Sequence, residues 1–165
     1  MAKKAKAKAK QRPAAKKAAR AAKKKAAPKK HKDGGPAGWP TLSPYMAVRD
    51  GQASVEFYAK VFGFKTTGML MRDDQGRVQH AGMVLGEAAI MFGPVEGSMG
   101  LQPPAGGPDS LSLYVYVPDV DALAERASRG GAIVVQGPTD QPWQDRTAVF
   151  KDRDGYHWTF ATHLG

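Results

Sequence analysis

The sequence predicts an α+β domain of two successive β-α-β-β-β units, preceded by a disordered basic tail. Three observations predict it. A strand-helix-strand-strand-strand pattern over residues 41–93 recurs over residues 111–163. A Gly- and Pro-rich stretch, residues 94–109, separates the two copies and reads as a linker. The positive charge is confined to one end. Of 25 Lys and Arg in the 165-residue chain, 15 lie in residues 1–40 beside one acid, Asp33. The first 40 residues therefore carry +14 and the remainder −4, against +10 for the whole.

Residues 1–38 form the expected tail and residues 39–165 the domain. Residues 2–32 are almost entirely Ala, Lys, Arg, Gln and Pro, and apart from Met1 no large apolar side chain precedes Trp39. Such a segment cannot bury enough surface to offset its ordering entropy. Pro13 and Pro28 break any long helix. A block of like charge can be a solvated tail and no more. Its functional reading is nonspecific nucleic-acid binding, with Lys16, Lys17, Arg20, Lys23, Lys24, Lys25, Lys29 and Lys30 neutralising phosphates. Pro13-Ala-Ala-Lys-Lys-Ala-Ala-Arg20 resembles the Lys/Ala/Pro tails of linker histones. No aromatic residue interleaves the charges, so base stacking is not suggested. No apolar anchor accompanies them, which argues against a membrane surface.

The elements follow in order. Tyr45–Asp50 alternates as a strand. Gly51–Phe62 places Val55, Tyr58 and Phe62 at helical spacing, and Gly63 stops the helix. Strands are predicted at Thr66–Met71, Val78–Leu85 and Ala88–Phe92. In the second copy, Leu113–Val117 is a strand, Asp121–Ser128 a helix ended by Gly130-Gly131, and Ala132–Val135 a strand. Arg146–Phe150 and Tyr156–Ala161 form the last hairpin. Asp50 and Asp119 each close a strand and open a helix, where a carboxylate suits the exposed N–H groups.

Several functions are excluded by what the sequence lacks. Zero Cys removes disulfides, thiolate metal sites and cysteine nucleophiles, and fits a cytoplasmic protein. No apolar run reaches the roughly 18 residues of a membrane helix. No G-x-S-x-G, phosphate-binding loop, G-x-G-x-x-G or H-E-x-x-H occurs. No convincing carboxylate pair for acid–base work stands out, so catalytic residues are not assigned.

The segments Ser43-Pro-Tyr-Met-Ala-Val-Arg-Asp50, Glu56-Phe-Tyr58, Gln79-His-Ala81, Trp143-Gln-Asp-Arg146 and Asp152-Arg-Asp-Gly-Tyr-His-Trp158 resemble the vicinal oxygen chelate superfamily, the glyoxalase/bleomycin-resistance/dioxygenase group, in its PhnB-like branch. The resemblance covers about residues 41–164. It implies that the modules form a curled mixed sheet around a shared cavity, and that the chain forms a homodimer. Strand parity then assigns the cavity side, because alternate side chains face opposite ways. Tyr45, His80, Met91, Ser112, Tyr114, Tyr116, His157 and Thr159 fall on that side, with Trp143 and Arg146 nearby.

Metal-binding members of the family carry His, Gln or Glu at four positions, which align here with Ser43, Met91, Ser112 and Thr159. None suits a hard or borderline divalent ion. No metal or other cofactor is therefore expected, although a displaced site using His80 and His157 is the metal alternative. The expected ligand is a small, flat organic molecule held by aromatic walls. The bland alternative is that these tyrosines are ordinary strand residues. Two other functions are weighed: a metal-dependent lyase, isomerase or dioxygenase, and a nucleoid-associated protein whose domain only dimerises.

Overall fold

A computed structural model describes residues 34–36, 38–106 and 111–165. The predicted disordered tail and its eight nucleic-acid-binding residues lie outside the described residues, apart from residues 34–36 and 38. The first module holds β1 (Tyr45–Val48), α1 (Gly51–Phe57), β2 (Lys65–Arg72), β3 (Val78–Leu85) and β4 (Ala88–Pro94). The second holds β5 (Ser112–Tyr116), α2 (Val120–Arg129), β6 (Ile133–Asp140), β7 (Asp145–Lys151) and β8 (His157–His163). Each module is one four-stranded sheet, in the order β1-β4-β3-β2 and β5-β8-β7-β6. β1 runs parallel to β4 and β5 parallel to β8, while the other pairs are antiparallel. This is the predicted repeat, in the mixed sheets of the glyoxalase/bleomycin-resistance fold.

Local chemistry sets the boundaries. The Asp50 carboxylate accepts from the Ala53 N–H at 3.0 Å and that of Asp119 from Ala122 N–H at 2.9 Å, so both aspartates cap their helices as predicted. α1 continues into a π-helical turn, Tyr58–Phe62, closed by Gly63 at φ +86°. β6 runs five residues past its predicted end at Val135. Gly137 and Pro138 resemble strand breakers, but β6 is an edge strand with two register shifts, where proline is tolerated. No described helix is long and apolar enough to cross a membrane.

The two modules share one core. Met46, Val48, Met83, Ile90, Phe92, Phe150, Trp158 and Phe160 are buried on the helix-facing sides of the two sheets. The turn after α1 lies between them: the Phe62 ring meets Phe57, Phe150, Trp158 and Phe160, and Tyr58 meets Phe92 and Trp158. The Asp152–Gly155 turn adds a polar joint. Asp152 accepts from Tyr58 Oη and Trp158 Nε1, and Asp154 from the Arg49 N–H and Ser54 Oγ. Because both sheets turn one face to this core, their other faces point away from it.

Candidate functional site

The outward face of the first sheet carries Tyr45, His80 and Met91, as parity predicts. Tyr45 and His80 stack with ring centroids 5.8 Å apart, and Met91 is in register with both Tyr45 and Gly82. A cavity of about 350 Å³ opens beside them, between Met69, Met91, Pro36 and the segment Trp39–Ser43. Trp39 is the residue that sequence reasoning missed here. Its indole lies over Gly82, so close that a Cβ there would sit 2.9 Å from Cη2. Gly82 thus leaves room on the strand for an aromatic ring, and the chain's own entry segment supplies one. The signal was present, since Trp39 is the first large apolar residue after the tail.

On the second face a polar chain runs along one end. His157 Nδ1 lies 3.0 Å from Ser112 Oγ, which lies 2.8 Å from Thr159 Oγ1. At the other end Tyr114 and Tyr116 stand side by side, ring centroids 5.4 Å apart. Both hydroxyls donate to Asp145 Oδ2, at 2.8 and 2.9 Å, and His163 Nδ1 lies 2.9 Å from Oδ1. His163, exposed at the end of β8, is held by this contact. Asp145 is only 2 % exposed, whereas Tyr114 and Tyr116 are 44 % and 63 % exposed. The hydrogen bonds from His163 and Tyr114 hold the Asp145 carboxyl below its ordinary range. The bond to Asp145, with some burial, pushes the Tyr116 phenol up to about 12.

Of the two residues expected near this face, one lies at its edge and the other does not. Trp143 is exposed in the turn between β6 and β7, at the rim of the face. Arg146 does not reach it. Its guanidinium bonds Asp121 at 2.7 and 2.9 Å and Asp140 at 2.7 Å, on the α2 side of the sheet. The reason is parity: Asp145 takes the face position, so its neighbour must point the other way. Asp145 itself was overlooked within Trp143-Gln-Asp-Arg146. The structure brings the expected residues together within each module, on two faces rather than across one.

The donors at the four family metal positions can be compared with what an ion needs. Tyr45 pairs with Met91 as Tyr114 pairs with Thr159, so Met91 and Thr159 are equivalent. Ser112 and Thr159 satisfy one another, Met91 offers a thioether, and the buried Ser43 Oγ has no hydrogen-bond partner among the described residues. Two hydroxyls bonded together, a thioether and a lone hydroxyl do not fit a divalent ion. His80 and His157 lie on different sheets. Among the described residues, no three His, Cys, Asp or Glu are grouped to hold a metal.

Comparison with known proteins agrees with this fold. The chain is 32 % identical over 126 residues to Uncharacterized protein Mb0911c of Mycobacterium bovis, covering 74 % of this chain and 82 % of that one. TioX from Micromonospora sp. ML1 superposes with TM-score 0.61 at 28 % identity, over 76 % of this chain and all of TioX. TnmS3, an antibiotic binding protein from Streptomyces sp. CB03234, superposes with TM-score 0.56 at 23 % identity, over 75 % of this chain and 96 % of TnmS3. With residues 41–160 matching its family model, the chain belongs to the Glyoxalase/Bleomycin resistance protein/Dioxygenase superfamily.

Proposed function

We propose that this chain binds and sequesters a small, flat organic molecule on its outward sheet faces, without a metal ion and without turning it over. Within the superfamily we read it as PhnB-like, on the resemblance of its motifs. The observation that carries the reading is the make-up of the faces. The first holds half-buried and the second exposed aromatic rings, each with a few fixed polar atoms, while the metal positions hold poor donors. Aromatic walls and a few convergent polar groups suit a planar ligand. TnmS3 shares the fold, and at its identity the likeness extends no further, so the ligand must be read from this chain's own residues. A homodimer would set the first face of one protomer against the second face of its partner and enclose the ligand between them.

Thermal unfolding of the EDTA-treated protein with Ni, Co, Zn, Mn and Fe(II) tests the metal-free part. An ion at 100 times its dissociation constant adds about 2.7 kcal/mol. No shift is expected with any of the five. A saturable rise of several degrees, one ion per chain, would return the protein to the lyase and dioxygenase readings.

The basic tail extends the proposal to nucleic acid, which holds the binding domain near DNA. The full chain is expected to bind duplexes of unrelated sequence equally. If eight phosphates are neutralised, affinity falls on the order of 10⁴-fold between 50 and 200 mM salt. Alanine at Lys16, Lys17, Arg20, Lys23, Lys24, Lys25, Lys29 and Lys30 should flatten that salt dependence. Filter binding at four salt concentrations measures it, and an unchanged slope would locate the charge effect outside these eight residues.

A further inference from the structure

We infer that the second sheet face takes an organic cation, the protonated amine or comparable N–H-bearing end of the ligand, on Tyr114 and Tyr116 above Asp145. This rests on the small-molecule reading and names the ligand's chemistry. Tyr114 and Tyr116 spend their protons inward on Asp145 Oδ2. To a ligand their oxygens offer only lone pairs; that of Tyr114 already receives the Trp143 side chain, so Tyr116 Oη is the open acceptor, suited to an N–H rather than to a carbonyl or carboxylate.

β8 lies between β5 and β7, so each hydroxyl reaches a carboxylate two strands away, about 10 Å at ordinary strand spacing. The rings must therefore lean across β8. Ala161, opposite both Tyr116 and Thr147, is small and fully buried there. The two rings are tilted 59° to one another, so they do not present one flat surface; a leaning ring turns part of its π face outward, which attracts cations. Trp143 adds a third exposed ring at the rim.

Asp121 and Asp140 are paired with Arg146 on the opposite side. Asp145 is the carboxylate beneath this face, with the His163 imidazole against its other oxygen. Lys151 and His157 face the same way but lie at the far end, about 20 Å along the strand. The depressed Asp145 carboxyl and raised Tyr116 phenol agree, since one stays charged and the other protonated near neutrality. The whole chain carries +10, so bulk electrostatics would favour an anion. A preference for cations would have to come from this site.

The test is calorimetric titration of the full chain at pH 8, where an imidazole is ordinarily neutral, with three tricyclic probes. These are 9-aminoacridine (cation), acridine (neutral) and acridine-9-carboxylate (anion). The cation is expected to bind about tenfold tighter than acridine, with the anion weakest. Asp145→Asn should erase most of that advantage. Tyr116→Phe keeps the ring and removes one of the two phenol bonds to Asp145; it should lower cation affinity several-fold and acridine affinity by less, which gives a second reading should Asp145→Asn impair folding. Equal affinities, anion preference, or a cation preference untouched by both variants would overturn the inference and leave the planar-ligand reading standing. No binding of any probe would overturn both.

Discussion

Replacing Asp152 with alanine is expected to cost about 4 kcal/mol, lowering the unfolding midpoint on the order of 10–15 °C. The buried carboxylate accepts four hydrogen bonds: Tyr58 Oη at 2.8 Å, Trp158 Nε1 at 2.9 Å, and the N–H groups of Asp154 and Tyr156 at 3.0 and 2.9 Å. Removing it leaves the phenol and the indole N–H buried with no acceptor, a cost of about 1–3 kcal/mol each. It also frees the turn that carries Asp154 onto Arg49 and Ser54. Burial raises the Asp152 carboxyl above its ordinary range, outweighing the donors that lower it. Its titration therefore favours the fold at pH below the ordinary carboxylate value, and that contribution is lost as pH rises through the raised value. Urea unfolding against pH measures both effects. A loss within about 0.5 kcal/mol, as for an ordinary surface position, would mean that the turn does not join the modules.

Phe62→Ala is expected to cost about 4 kcal/mol, in the range of buried aromatic truncations. Phe62 is fully buried, and its ring is the point where the helix of one module meets the sheet of the other. Little can collapse into the space, because its neighbours are rings anchored on β7 and β8. The variant should still unfold in one transition, with fluorescence and far-ultraviolet circular dichroism coincident. Two transitions would show that the modules fold as separate units.

Much of the fold was legible because both modules obey simple periodicities. Alternation fixed β3 at Val78–Leu85 to the residue and put Met83, Phe92, Trp158 and Phe160 inside. The residues predicted for the opposite sides, including Tyr45, Tyr114 and Thr159, lie there. Capping chemistry identified Asp50 and Asp119. What was hidden depends on contacts distant in sequence. Asp145 resembles a turn residue until β5 supplies two tyrosines 29 and 31 residues away in the chain. Trp39 belongs to no periodic element, and only Gly82, across the sheet, gives it a place. Arg146 was misplaced because its turn was read without counting parity from Thr147. That the two faces point apart follows from the shared core, which no local pattern encodes.

The central claim is that a small organic molecule binds these faces with no metal. Calorimetry of the full chain with EDTA present, against planar aromatic antibiotics such as phenazines and with bleomycin as a second probe, tests it most directly. The account predicts saturable binding of at least one probe, with the ligand recovered chemically unchanged. Binding that appears only when a divalent ion is added, or a ligand converted to product, would contradict it.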